Sequence, residues 1–169
     1  MLWGLLRTLQ LTDYPVGLPQ LPLMSRYMLG VLEGLGDFPH RTYNTVIYDM
    51  EVGNDPSKDD LPLDRRARTE DYVLVQITEH LHIFDYDLSE HGGRDYDIHG
   101  KQMDLVGSIK KYVLRSNLEQ LPPIFKLAAC PTRLLVTEQT KQALEAADVQ
   151  GIWFDPLNAY TVEPETVGH

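Results

Sequence analysis

His80 and His82 stand two apart, and Asp85, Asp87, His91 and His99 follow within twenty residues. On an extended chain residues i and i+2 share a face. Two imidazoles on one face with a nearby carboxylate can hold zinc or a non-haem iron. A metal-dependent hydrolase using His80, His82 and Asp85 is therefore the one enzymatic reading the residues offer. The pattern is common by chance, and an acid-rich chain supplies carboxylates everywhere. The plainer reading is that these are exposed polar residues at the edge of a sheet. On that reading no catalytic residue, no metal ligand and no cofactor is assigned.

Other chemistry is harder to place. The sequence has no G-x-x-x-x-G-K-[ST] phosphate loop, no HExxH and no G-x-S-x-G elbow. Gly34-Leu-Gly36 is too short for a dinucleotide fingerprint, and Asp37-Phe-Pro39 follows where a helix should continue. Cys130 lies between Ala129 and Pro131 with no polarising partner in sequence, so it reads as a buried structural thiol. As the single cysteine it has no intramolecular disulfide partner and suits a reducing compartment. Arg65, Arg66 and Arg68 sit among Asp59, Asp60, Asp64, Glu70 and Asp71, and read as surface ion pairs rather than a nucleic-acid site. Trp3 and Trp153 read as core or interface anchors.

The elements that must position these groups can be read coarsely. Residues 1–24 are apolar and punctuated by Pro15, Pro19 and Pro22, which predicts an extended, packed lead-in. Ser25 is placed to cap a helix carrying Met28, Leu29, Leu32 and Leu35, stopped by Gly34, Gly36 and Pro39. Tyr43–Tyr48, Tyr72–Thr78 and His82–Tyr86 read as strands, and residues 51–69 as a long exposed loop. Residues 87–102 are polar, with Gly92-Gly93 as a hinge or turn. Asp104 is expected to cap a helix to about Asn117, its apolar face Leu105, Ile109, Tyr112 and Val113. Short strands are expected around Phe125 and at Leu134–Val136. Thr137 should then cap a helix from Glu138 to about Ala147, and Ile152–Phe154 should be a last strand before Pro156. Leu134, Leu144, Trp153 and Phe154 are expected in the core, and residues 159–169 in a weakly ordered tail. This order predicts an α+β class with a mainly antiparallel sheet and one domain over residues 1–169.

Composition narrows the partners. The chain has 169 residues, 43% of them hydrophobic, enough for a proper core. Its net charge is −10, which disfavours binding to a phosphate backbone and favours a basic partner. The charge is concentrated. Asp49–Asp104 holds fifteen acids and six basic residues, a net of −9, and the rest of the chain a net of −1. Two readings stand side by side: a solvated loop region, and a surface whose one-sided charge steers a partner. The candidate contact residues are Asp55, Asp59 and Asp60 in the first loop, and Asp85, Asp87, Glu90, Asp95 and Asp97 in the second. No apolar stretch reaches the roughly 20 residues a spanning helix needs. The brief apolar start, Met1–Leu6, has neither basic flank nor cleavage site. No membrane association is expected, and the expected location is the cytoplasm.

Leu121-Pro-Pro-Ile-Phe125, Leu134-Leu-Val-Thr137, Ala143-Leu-Glu-Ala146 and Gly151-Ile-Trp-Phe-Asp-Pro156 together resemble an immunity-protein family of bacterial polymorphic-toxin systems, family eleven. Tyr72–Thr78, Ile83-Phe-Asp85 and Ser89 resemble its middle section. The likeness covers about residues 25–157, and the acidic 51–69 loop departs from it. These motifs are structural and mark no catalytic site. The resemblance implies a non-enzymatic immunity protein that binds a cognate toxin and covers its active face. Toxins of this kind are commonly delivered by type VI secretion or related systems. A nuclease toxin must bind a polyanion, so its active face is basic, and an acidic inhibitor can imitate the phosphates. An adaptor module with a non-toxin partner is the remaining alternative beside the hydrolase.

Overall fold

Ser25 and Thr137 begin two of the helices as the sequence predicts. Ser25 Oγ accepts from Met28 N at 3.0 Å, and Thr137 Oγ1 from Thr140 N at 3.1 Å. Each satisfies a backbone donor that the first helical turn leaves without an intrahelical partner. The computed structural model describes residues 2–15, 21–50, 67–115, 121–157 and, for the backbone, 159–162. In chain order the elements are β1 (Leu2–Gly4), α1 (Leu6–Leu9), β2 (Leu23–Ser25), α2 (Arg26–Leu35), β3 (His40–Asn44), β4 (Ile47–Asp49), β5 (Arg68–Thr69) and β6 (Tyr72–Ile77). There follow β7 (His80–Leu81), β8 (Glu90–His91), β9 (Arg94–Tyr96), β10 (Gln102–Val106), β11 (Ile109–Arg115), β12 (Ile124–Leu127), β13 (Cys130–Val136), α3 (Glu138–Ala146) and β14 (Ala159–Val162).

The class is α+β, and the strand pairing is mainly antiparallel. β2 and β3 flank β6, β13 pairs β12, β8 pairs β11, β9 pairs β10 and β5 pairs β4, all antiparallel. Only β1–β4, β11–β14 and β7–β12 run parallel among the described residues.

Strand alternation divides the core in two. On β6, Val73, Val75 and Ile77 face α2 and α3, where they meet Met28, Leu29, Leu32 and Leu144. On β12, Ile124 joins that cluster, whereas Phe125 and Leu127 point the other way, to Phe84, Tyr112, Leu114 and Leu135. The sheet of β7, β12 and β13 is thus a middle layer with apolar packing on both faces. Lys126 follows the parity of Ile124 and is buried.

The N-terminal lead-in is tied down more firmly than its prolines imply. Asp13 N donates to Gln150 O at 2.8 Å, Gln150 N to Asp13 Oδ2 at 2.9 Å, and Ser25 Oγ to Asp13 Oδ1 at 2.5 Å. The Tyr72 hydroxyl is shared between the carbonyls of Leu9 and Thr12, the latter at 2.7 Å. Gly151 closes this corner at φ +80°, and a Cβ there would stand 1.8 Å from Thr12 Oγ1.

Several expectations are overturned. Residues 104–117 were expected to be helical. Instead residues 102–106 and 109–115 form β10 and β11, turning at Gly107-Ser108. The spacing 105, 109, 112, 113 fits a helix, but Val106, Ile109, Tyr112 and Val113 are strand formers. Tyr112 and Leu114 alternate into the second cluster. Asp104 therefore caps nothing. Tyr43–Tyr48 divides into the ends of β3 and β4, with Thr45 Oγ1 donating to Tyr72 O at 2.7 Å between them. Ile152–Phe154 is not a strand. Trp153 is 88% exposed, Phe154 and Leu134 are half-buried against the first cluster, and only Leu144 of the four is fully buried. Cys130 is half-buried rather than enclosed. Residues 159–162, expected in the tail, pair with β11. No helix among the described residues is long and apolar enough to cross a membrane.

Candidate partner-binding surface

The acid-rich stretch from Asp85 to Asp104 is ordered by its own carboxylates. Asp85 Oδ1 accepts from Asp87 N and Leu88 N, both at 3.0 Å, which folds residues 85–89 into a tight turn. Ser89 N donates to Asp85 O at 3.1 Å, and Asp85 N to Val113 O at 2.9 Å. His91 is held from both ring nitrogens. Gly93 N donates to Nδ1 at 3.1 Å, so Nε2 carries the proton and donates to Tyr86 O at 3.0 Å.

The β9–β10 hairpin projects beyond this turn. Asp97 closes its tip. Asp97 Oδ1 accepts from His99 N and Lys101 N, both at 2.9 Å, and Asp97 N donates to Lys101 O at 2.9 Å. Gly100 turns the chain at φ +76°, a left-handed conformation that favours glycine. Asp104 braces the hairpin base. Its carboxylate meets Arg94 at 3.2 Å and His82 Nδ1 at 3.1 Å. Arg94 also donates through Nε to Met103 O at 3.0 Å and stacks 4.1 Å from the Tyr86 ring centroid. The Tyr86 hydroxyl donates to Asp104 O at 2.8 Å. Burial, with Asp104 close by, pushes the Tyr86 phenol above its usual value.

The predicted contact residues divide accordingly. Asp87, Glu90 and Asp95 are exposed, and their carboxylates face solvent. Asp85 and Asp97 are half-buried and serve the turns they sit in. Asp55, Asp59 and Asp60 lie outside the described residues, as do Arg65 and Arg66. Arg68 pairs with Glu70 at 3.7 Å. Beside Asp95 the hairpin displays Tyr96, 64% exposed, and Ile98, 95% exposed. Sequence reasoning counted charges here and overlooked this apolar pair between the acids.

The hydrolase constellation is not brought together. His82 turns to Asp104, and Asp85 is occupied by its own turn. Among the described residues no three His, Cys, Asp or Glu side chains converge on a possible metal position. His80 and His82 do line a common groove of about 770 Å³, with Asp97, Lys101, Asp104 and Pro131. His80 and Pro131 also line a narrower cleft of about 400 Å³ beside it. Burial, followed by the proximity of Lys126 and His82, holds the His80 imidazole below its ordinary value. Burial likewise depresses the Lys126 ammonium.

A family model for an immunity protein family, Imm11, matches residues 60–159. The chain belongs to the Imm11 immunity protein family. The matched region runs from just before β5 to the start of β14 and includes the 85–89 turn, the hairpin, β12, β13 and α3. Asp85, Asp87, Glu90, Asp95 and Asp97 all fall within it, Asp60 stands at its edge, and Asp55 and Asp59 precede it. The likeness read from the sequence motifs is thereby borne out, over a region that starts later than residue 25. The Imm11 assignment makes this an immunity protein directed against a toxin. A comparison with curated proteins finds no match.

Proposed function

We propose that this Imm11 protein, acting as one immunity-type unit over residues 1–169, binds a cognate toxin in the cytoplasm and neutralises it without catalysis. The toxin is a basic one, a nuclease effector of the type VI class, and the acidic surface covers its active face. The observation that carries this reading is the β9–β10 hairpin. It is held at its tip by Asp97 and at its base by the Arg94–Asp104 pair, and it presents Asp95, Tyr96 and Ile98 to solvent. A rigid hairpin loses little freedom on binding. An aromatic and an aliphatic anchor among carboxylates suit a basic cleft with an apolar floor. Asp87 and Glu90 extend the same sign of charge, and Asp55, Asp59 and Asp60 add to it in sequence. Steering by these groups would quicken association and weaken as salt rises.

Co-expression with the product of the neighbouring gene, scored as rescue of growth, tests the role. Surface plasmon resonance at low and high salt tests the surface. Asp95→Asn should slow association, and Ile98→Ala should speed dissociation. Rescue that survives both changes together with Tyr96→Ala would place the interface elsewhere. A turnover abolished by one point change would refute the non-enzymatic reading.

A further inference from the structure

The strand β3 is an open edge of its sheet. Its register with β6 runs unbroken through five consecutive pairs, from His40 opposite Ile77 to Asn44 opposite Val73. Two bonds fix the direction of its backbone groups. Val75 N donates to Pro22 O at 2.9 Å, on the β2 side, so Val75 and its partner Thr42 are not bonded to each other. Thr78 N donates to Pro39 O at 3.0 Å, on the β3 side. Bonded and unbonded pairs alternate along an antiparallel ladder. Arg41 and Tyr43 therefore spend their amides and carbonyls on β6, and His40, Thr42 and Asn44 turn theirs outward. Among the described residues no strand pairs with β3 on that side, and residues 41–44 are all exposed. The outer side of β2 differs, since Ser25 N donates there to Asp13 O at 2.7 Å. The edge strand β13 differs too, with Pro131 and a register shift within it.

We propose that β3 pairs with β3 of a second copy of this chain, antiparallel about a two-fold axis at Thr42, and joins the two three-stranded sheets into one across a homodimer.

In that register the strand is complementary to itself. Thr42 stands opposite the partner's Thr42, His40 opposite the partner's Asn44, and Asn44 opposite the partner's His40. These are the residues whose amides and carbonyls point outward, so each pair exchanges both of its backbone bonds. Arg41 stands opposite the partner's Tyr43, in the kind of pair whose side chains approach more closely. A guanidinium over a phenol ring is a favourable contact, and the symmetry makes it twice. No residue of β3 is acidic, so in a chain of net charge −10 this edge sets no carboxylate against carboxylate. Its side chains are already held. The Tyr43 hydroxyl donates to Gln76 Oε1 at 2.8 Å, Arg26 donates to Asn44 Oδ1 at 2.8 Å, and His40 Nε2 lies 3.4 Å from Glu33. They lose little freedom on pairing. One added strand is a small interface, so the dimer belongs to the weak class. Pairing of this kind needs no toxin and does not rest on the immunity role.

Sedimentation equilibrium of the full chain from about 1 μM to about 1 mM tests the pairing. A reversible monomer–dimer equilibrium is expected. Tyr43→Lys sets an ammonium against a guanidinium in both symmetric pairs and should raise the dissociation constant about tenfold. Adding Arg41→Glu to that chain makes the pair one of opposite charge and should recover most of the loss. A dimer indifferent to Tyr43→Lys, or not recovered by the second change, overturns the proposal. Oxidative cross-linking reads the register. In a Cys130→Ser background, Thr42→Cys should link two copies, because a bonded pair on the axis has its Cα atoms about 5.5 Å apart, within disulfide reach. Asn44→Cys should not, because the like residue of the other copy lies four positions along the strand. Cross-linking no faster for Thr42→Cys than for Asn44→Cys overturns the proposal, as does a chain that stays monomeric throughout. If a monomeric chain also loses toxin affinity through Tyr43→Lys, the edge takes a toxin strand instead of a second copy.

Discussion

Trp153→Ala separates what the sequence implies from what the fold does. A tryptophan inside Gly151-Ile-Trp-Phe-Asp-Pro156 reads as a core anchor, and truncating a core tryptophan costs about 3–5 kcal/mol. In the structure the residue is 88% exposed. A fully buried aromatic of this size hides about 150–250 Å², so the eighth that remains hidden here is about 20–30 Å². At about 25 cal/mol per Å² that is less than ~1 kcal/mol, an upper bound because the unfolded chain hides some of it too. Leu144 supplies the contrast. It is 1% exposed in the α3 face of the first cluster, and Leu144→Ala should cost about 2–5 kcal/mol. For a chain of this length each kcal/mol moves the Tm by roughly 2–4 °C. Calorimetry should therefore show Trp153→Ala within about 3 °C of the native protein, and Leu144→Ala lower by about 4 °C or more. Urea unfolding should give the same order with an unchanged slope. A loss above about 2 kcal/mol for Trp153→Ala would mean that the indole is packed, and would refute the placement of residues 152–154. If Tm holds while toxin binding is lost, Trp153 is a contact residue.

Three further outcomes follow from the geometry. Gly151→Ala should lower Tm sharply. Its φ of +80° strains any L side chain and its Cβ would collide with Thr12, so Thr12→Ala in the same chain should recover part of the loss but not all of it. Asp97→Ala removes the acceptor of two backbone amides at the hairpin tip, and should speed hydrogen exchange at His99 and Lys101 while costing about 1–2 kcal/mol. Asp95→Asn, with its carboxylate in solvent, should leave exchange unchanged, and equal exchange in the two variants would show that Asp97 does not hold the turn. Lys126→Met should change stability in a pH-dependent way. Burial lowers the folded pKa below the usual 10.5, so the native state is penalised where the ammonium is charged, and the penalty disappears above the unfolded value. The difference in stability, variant minus native, should thus fall as pH rises from the folded pKa toward about 10.5, and a flat or rising difference in paired unfolding curves would refute the depressed value.

The elements that were legible carried a local signal with one physical meaning. Ser25 and Thr137 each precede an apolar helical face and have a hydroxyl at the right offset, and both cap as read. Tyr72–Ile77 alternates into two clusters, so neither its type nor its faces were ambiguous. Residues 104–117 misled because four apolar positions satisfied a helical period by chance, while their β-branched and aromatic character pointed to strands. Side-chain stiffness was the better guide there, since Tyr112 and Leu114 are fixed by the layer of Phe84 and Leu127. The acids were legible as a charge count but not as parts. Asp85 and Asp97 are consumed by turns and Asp104 by His82 and Arg94, which leaves Asp87, Glu90 and Asp95 as the outward set. The narrower cleft beside the groove had one trace in the sequence, a lysine inside the run Ile124-Phe-Lys-Leu127. Its companions Arg41, Gln76 and His80 come from strands far apart in the chain, so only the register brings them together.

The Asp13–Gln150 link has a consequence for timing. Its two partners are 137 residues apart, and at about 5–20 residues per second a ribosome takes roughly 7–27 s to make the chain between them. During that interval Ser25 lacks the Asp13 environment that Gln150 helps to fix, and the turn at Gly151 does not yet exist to seat Thr12. β1 and α1 can pack against β4 earlier, but the Asp13 corner must wait, unclosed, for the residues that follow the last helix. A nascent chain that stops short of Gln150 therefore leaves Asp13 without this partner, so truncation after α3 should loosen the N-terminal corner while leaving the β1–β4 pairing in place.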